Sequence, residues 1–282
     1  MDKIILKANQ ETKMEKFFKD HYFSRNFFID AYREKRLKIN GNIAGRNTKV
    51  KSGDILEIYF NEEDNGYKPE NLALPIIYED ENLLIVNKSA GINTIGEEGS
   101  LTNYVSYLYQ QRNIHRKVRI LGRLDRDTSG LVVICKNPLI QGYFSHPQIR
   151  KQLKKYYTAY CHGKMKPMTI DLPILRKGIR STIDPKGKTA MTKILNVEEI
   201  GPYSKLFIEI PTGRTHQIRV HLSAMGHPLL GDPLYGKEDG FQHQALTATK
   251  ICWRDIQGQR REVEINAPLP KEKNSSEEKN SV

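Results

Sequence analysis

The sequence predicts an α+β chain: a domain built on a mainly antiparallel mixed sheet, preceded by a small α+β module. Three observations carry that expectation. Short runs rich in β-branched and aromatic residues recur at 131–135, 156–161, 192–197 and 206–210. Two helical stretches, 101–112 and 215–225, are spaced irregularly among them, without the strict strand–helix alternation of a parallel sheet. Ahead of both lies a short basic stretch with its own helices and strands.

That front module spans residues 1–60. It holds 13 Lys and Arg against 8 Asp and Glu, an excess of +5. Met14-Glu15-Lys16-Phe17-Phe18 and Asn26-Phe27-Phe28-Ile29-Asp30-Ala31-Tyr32 have the pattern of short amphipathic helices. Leu37-Lys38-Ile39 alternates like a strand and enters Asn40-Gly41, a tight-turn dipeptide. Ile55-Leu56-Glu57-Ile58-Tyr59-Phe60 closes the module as a strand. Residues 61–74 are acidic and polar, with Asn65-Gly66 and Pro69, and read as a linker. Residues 75–270 form the main domain, opening on the apolar run Leu83-Leu84-Ile85-Val86-Asn87-Lys88. The tail, 271–282, is charged and rich in Ser and Asn, and is expected to be disordered.

The net charge of +12 over 282 residues favours a polyanionic partner, nucleic acid first. No apolar run approaches the ~20 residues of a membrane-spanning helix, so no membrane role is expected. The start, Met1-Asp2-Lys3-Ile4-Ile5-Leu6-Lys7, is too short and charged for a secretory signal. Three cysteines without CxxC spacing read as buried free thiols of a cytoplasmic protein.

Chemistry concentrates in two segments. In Gly122-Arg123-Leu124-Asp125-Arg126-Asp127-Thr128-Ser129-Gly130 one carboxylate lies between two arginines, at a small-residue turn before an apolar strand. Neighbouring cations favour its ionised form. A structural ion pair has the same appearance. Asp125 and Asp127 could also form a glycosidase pair, although such carboxyls usually come from separate elements, about 5–9.5 Å apart. Asp127 is otherwise expected to bind backbone N–H groups in its turn. In the second segment, Thr212 to Pro228, Ile218, Leu222 and Met225 form an apolar helical stripe, while His216, Arg219 and Ser223 share another face. Histidines 216, 221 and 227 lack the spacing of a helical metal pair, so no metal is expected.

Together with Ile77-Tyr78-Glu79-Asp80-Glu81-Asn82-Leu83-Leu84-Ile85-Val86-Asn87-Lys88, Lys155-Tyr156-Tyr157-Thr158-Ala159 and Gly226-His227-Pro228-Leu229-Leu230-Gly231-Asp232-Pro233-Leu234-Tyr235-Gly236, these segments resemble the RluA-type pseudouridine synthases. The resemblance covers nearly all of 75–270. The front module, with Arg36-Leu37-Lys38-Ile39-Asn40-Gly41 and Lys51-Ser52-Gly53-Asp54, resembles the S-four-type RNA-binding module that often accompanies that family.

The resemblance implies a catalytic Asp125, an active-site Tyr157, an Arg219 that pairs with the aspartate, and an Arg123 that helps to displace the target base. Basic residues beside these motifs are expected to meet RNA: Arg116, Lys117, Arg119, Lys154, Lys155, Arg214 and His216. The implied reaction isomerises uridine to pseudouridine, in ribosomal RNA first, by a monomer needing no cofactor. The reading from another class is a ribosome-associated RNA-binding protein without catalysis, against which the retained Asp125, Tyr157 and Arg219 stand. Two positions depart from the family habit. Gly122 stands where His is frequent, and Leu246-Thr247-Ala248 stands where Leu-His-Ala is frequent.

Overall fold

The computed structural model describes residues 3–270, so the expected disordered tail at 271–282 lies outside the described residues. A ten-stranded sheet dominates the main domain. Along its path run Met168–Asp171, Met191–Ile200, Tyr203–Glu209, Lys154–His162, Leu246–Arg254, Ser129–Cys135, Leu83–Lys88 and Ile76–Glu79. Arg260–Glu264 pairs with Leu246–Arg254, and Arg119–Ile120 pairs with Ser129–Cys135. The sheet is antiparallel apart from the contact between Ser129–Cys135 and Leu246–Arg254, where Ser129 faces Thr247 and Gly130 faces Ala248. This matches the expected α+β class and mixed sheet.

That parallel contact sets the geometry of the centre. Ala248 has Gly130 on one side and Tyr157 on the other. Gly130 sits at φ +108, and a Cβ there would stand 2.3 Å from the Ala248 carbonyl oxygen. Only glycine allows so close a backbone approach. The turn after Asp125 and the strand carrying Tyr157 are thereby drawn to opposite sides of one strand.

In residues 3–59 the two expected helices and the strands at 37–39 and 55–59 form, with local reasons. Helices Met14–Asp20 and Arg25–Arg33 cover a four-stranded sheet ordered Lys3–Lys7, Ile55–Tyr59, Leu37–Ile39, Asn42–Ile43. Asn40 and Gly41 both have positive φ, as a tight hairpin turn requires. The apolar core of this module is not closed on itself. Phe17, Phe18, Phe23 and Phe28 share one buried cluster with Leu139, Ile140, Tyr143 and Trp253. The partner surface is helix Pro138–Ser145, which the sequence reading passed over. Its signal was present: Asn137 accepts from the Ile140 N–H at 2.9 Å, and Pro138 takes the first helical position.

Residues 61–74 are extended and tied down along their length. Arg116 donates to the Asn61 carbonyl at 2.9 Å, Glu63 pairs with Arg119, and Asn103 donates to the Lys68 carbonyl at 2.9 Å. Ser106 and Tyr104 hold the Tyr67 and Leu74 carbonyls at 2.7 and 2.6 Å. Among the described residues no helix is long and apolar enough to cross a membrane. The three cysteines are buried and free.

The second helix of the main domain is shorter than expected. It spans Gln217–Ala224, because His216 takes left-handed dihedrals and breaks the preceding turn. Ile218 and Leu222 enter the core, but Met225 is 38% exposed. The expected apolar stripe is corrected accordingly: Met225 is the C-cap, where the helix leaves the core.

Candidate functional site

The turn bearing Asp125 is clamped from below. Lys88, with no exposed surface, donates to three carbonyls: Ser89 at 2.9 Å, Ile92 at 2.7 Å and Arg126 at 2.9 Å. Three acceptors match the three protons of an ammonium. Burial pulls this amine down to about 8, against the charges of Asp127 and Asp125. Thr94 grips the neighbouring Leu124 at both ends, donating to its carbonyl at 2.7 Å and accepting from its N–H at 3.1 Å. Arg126 reaches back to the Gly91 carbonyl at 3.1 Å. Asp125 is thus a side chain on a fixed backbone.

Its carboxylate opens onto a cleft of about 490 Å³. Arg219 Nη1 lies 3.5 Å from Asp125 Oδ2, and His216 Nε2 lies 3.9 Å from the same oxygen. Arg219 is buried and itself held by Asp232, with Nε on Oδ2 at 2.7 Å and Nη2 on Oδ1 at 2.8 Å. Burial works to raise the Asp232 carboxyl, but the bonds and charge of Arg219, with the Leu234 and Tyr235 N–H groups, hold it below the usual range. The Arg219 guanidinium also stacks over Tyr235, 5.1 Å from the ring centre. Asp232 and Tyr235 stand within a motif quoted above, but the sequence reading assigned neither a role. An aspartate before proline, in a segment otherwise of small and apolar residues, was the available sign.

Tyr157 lines the cleft from its buried strand position. Burial, and then the Asp125 charge, pushes its phenol well above the ordinary tyrosine range, so it is a neutral hydroxyl at physiological pH. It packs with Leu124, Ile218, Leu246 and Ala248, which form an apolar wall. Arg123 is exposed at the rim and, among the described residues, makes no hydrogen bond or ion pair.

The other expected RNA contacts divide. Lys155, Arg214 and His216 line the cleft. Lys155 donates to the Leu121 carbonyl at 3.1 Å, and burial, with Arg150 beside it, pulls its amine down to about 8. Arg214 donates to the Thr189 carbonyl at 2.9 Å. Lys154 lies outside the cleft, 3.5 Å from Glu209, and Lys117 is an exposed residue away from it. Arg116 and Arg119 are buried, one against Asn61 and the Phe60 ring, the other paired with Glu63. Their charge is committed inside the protein, where it braces residues 60–63 rather than meeting phosphates.

One further expectation is corrected. Among the described residues Asp127 makes no hydrogen bond to its turn; the Thr128 N–H goes to the Asp125 carbonyl at 3.2 Å. It borders a second cleft with Asp232 and Asp239, whereas Asp125 lines the first. Histidines 216, 221 and 227 go to different partners: Tyr235; Thr192 with the Leu172 carbonyl; and the His162 carbonyl.

Both departures from the family habit have a local explanation. Gly122 lies at φ +88, and a Cβ there would stand 2.6 Å from Lys155 Nζ. The missing side chain leaves that space to the lysine. Thr247 shares a 2.8 Å hydrogen bond with Ser129 at the parallel strand contact.

A fixed carboxylate, a buried guanidinium and a neutral phenol meet in this cleft. Residues 82–224 match the model of the RNA pseudouridylate synthase family. The chain is 40% identical over 241 residues to the uncharacterized RNA pseudouridine synthase YhcT of Bacillus subtilis, covering 81% of this chain and 80% of that one. It is 30% identical to ribosomal large subunit pseudouridine synthase D of Escherichia coli, covering 89% and 84%. Human RNA pseudouridylate synthase domain containing 1 superposes with a TM-score of 0.61 at 25% identity, over 75% of this chain and 94% of that one. The chain therefore belongs to the RNA pseudouridylate synthase family and is an isomerase that converts uridine in RNA to pseudouridine.

Proposed function

We propose that this pseudouridine synthase acts on ribosomal RNA and that Asp125 is the group that acts on the target uridine. The reaction breaks the N1–C1′ bond, turns the uracil and rejoins it through C5. N1 gains a proton as C5 loses one, so no redox or energy-supplying cofactor is needed. Attack at the ribose or proton removal from it both need an ionised carboxylate. The observation that carries the reading is the 3.5 Å approach of the Arg219 guanidinium to Asp125 at the cleft floor.

Tyr157 packs on the base and helps in the proton transfer at C5, taking that proton once its own has been given up. Arg123, unpaired at the rim, fills the gap left in the stack when the uridine is turned out. The ribosomal target is supported by the relatives named for the large ribosomal subunit and by the net charge of +12. Residues 1–60 are the S-four-type RNA-binding module, supported by their +5 excess and their two helices on a small sheet. The enzyme works as a monomer.

Incubation with unmodified rRNA and tRNA transcripts, each followed by carbodiimide mapping, tests both parts. The wild type forms pseudouridine at discrete sites, whereas Asp125→Asn forms none and binds the RNA as tightly. Full activity in Asp125→Asn would remove Asp125 from the chemistry. Modification of tRNA alone would remove the ribosomal target.

A further inference from the structure

His216 holds left-handed dihedrals, φ 58 and ψ 21, directly before helix Gln217–Ala224. Outside glycine that conformation is strained and gathers at functional sites; histidine is among the residues that tolerate it best. Here it sets the imidazole between Asp125 and Tyr235. The His216 and Tyr235 rings meet edge to face, with centres 5.5 Å apart.

The proton on this ring can be assigned from its partners. Tyr235 Oη accepts the Ser181 N–H at 2.7 Å and lies 2.8 Å from His216 Nδ1. A phenol has one proton to give. With its oxygen already accepting from Ser181, that proton goes to the Nδ1 lone pair. We assign Nδ1 as bare and the neutral ring's hydrogen to Nε2, because in the other tautomer the phenol would accept twice and its own proton would lack this partner. Burial pulls the imidazole below the ordinary histidine range, against the charge of Asp125; Arg219 and Arg176 add to the pull and Asp232 opposes it.

Nε2–H faces the cleft. At 3.9 Å from Asp125 Oδ2 it is too far for a hydrogen bond, and among the described residues it has no other acceptor. A donor is thus held beside the reacting carboxylate without a protein partner.

We propose that His216, fixed as the Nε2–H tautomer by Tyr235, donates a hydrogen bond to an oxygen of the target uridine and so sets that nucleotide against Asp125. The proposal rests on the reading of Asp125 given above. Tyr235 is a positioning residue that acts through His216. A second proton, on Nδ1, would leave the Nε2–H in place but set a donor against the Tyr235 hydroxyl and break the bond that orients the ring.

A double-mutant cycle with His216→Ala and Tyr235→Phe tests this, read as the single-turnover rate of pseudouridine formation with saturating enzyme. Phenylalanine keeps a ring over Arg219. His216→Ala should lower the rate about 10²-fold, as misplacement of a reacting group does. RNA affinity should change little, because phosphate contacts dominate it. Tyr235→Phe should lower the rate about tenfold alone, yet change it less than about twofold in His216→Ala. Its acid limb should move to higher pH, because Nδ1 loses the hydroxyl that favours the neutral ring. Equal losses from Tyr235→Phe in both backgrounds, or an unmoved acid limb, would overturn the tautomer lock. A full rate in His216→Ala overturns the proposal alone; activity in Asp125→Asn overturns the underlying reading as well.

Discussion

Replacement of Asp232 by asparagine isolates what orients Arg219. Asp232 Oδ1 accepts from Arg219 Nη2, from the Leu234 N–H at 2.9 Å and from the Tyr235 N–H at 3.0 Å, while among the described residues Oδ2 accepts only from Arg219 Nε. The amide oxygen of asparagine can keep the threefold site. Its NH2 group then points at the Arg219 Nε–H, two donors face each other, and of the two carboxylates beside the guanidinium only the more distant Asp125 remains. Breaking one side of a buried ion pair costs about 3–5 kcal/mol. At about 2–4 °C per kcal/mol for a chain of this size, the unfolding midpoint falls by on the order of 10 °C. The guanidinium, freed from its fork, no longer sits squarely against Asp125, and a displacement of about 1 Å is enough for a rate loss near 10²-fold. Calorimetry and single-turnover pseudouridylation at fixed RNA occupancy measure the two effects separately. The Asp232 carboxyl is depressed in the folded state, so its stabilisation is complete above the ordinary aspartate value of about 3.9 and fades as pH falls below it through the lower folded value. The variant should therefore lose part of its acid-side fall in stability. Wild-type midpoint and rate in Asp232→Asn would refute the argument.

Two further variants probe the clamp under the Asp125 turn and the strand contact beside it. Lys88→Met keeps the length of the side chain but strips the Ser89, Ile92 and Arg126 carbonyls of their donor. At about 1–3 kcal/mol for each orphaned buried group, less the relief of burying no charge, a net loss of at least ~2 kcal/mol is expected, with a fall in rate; an unchanged denaturation curve would show that the ammonium is not needed. Gly130→Ala places a Cβ 2.3 Å from the Ala248 oxygen at φ +108, so a loss above ~3 kcal/mol is expected; a crystal structure of the variant with the two strands unmoved would contradict it.

Much of the local structure was legible from residue order. Asn40-Gly41 marks its turn because those two residues bear positive φ at least cost. The β-rich runs became strands, and the short amphipathic stretches near 14 and 26 became helices. Helix Pro138–Ser145 was missed because its apolar positions do not face one solvent boundary; they join two apolar surfaces, one from residues 3–60 and one from the main sheet. The same burial explains Arg116 and Arg119. A cation in a basic run reads as surface until a distant Glu63 is known to lie against it.

By itself, the amino-acid order determined two groups that could do chemistry, a carboxylate at a glycine-bounded turn and an arginine on a helix face; the tyrosine in a strand stood out only through the family resemblance. These properties depend on residue type and on neighbours a few positions away, which is the range over which backbone preference and side-chain periodicity act. Tertiary structure alone decided how those groups meet. Tyr157 reaches the Asp125 turn because both flanking strands register on Ala248, about which neither local segment carries information. Arg219 points at Asp125 because Asp232 grips its far edge, and His216 offers one particular nitrogen because Tyr235 and Ser181 use up the other. Such choices follow from close packing between segments far apart in the chain, where one buried hydrogen bond excludes its alternatives.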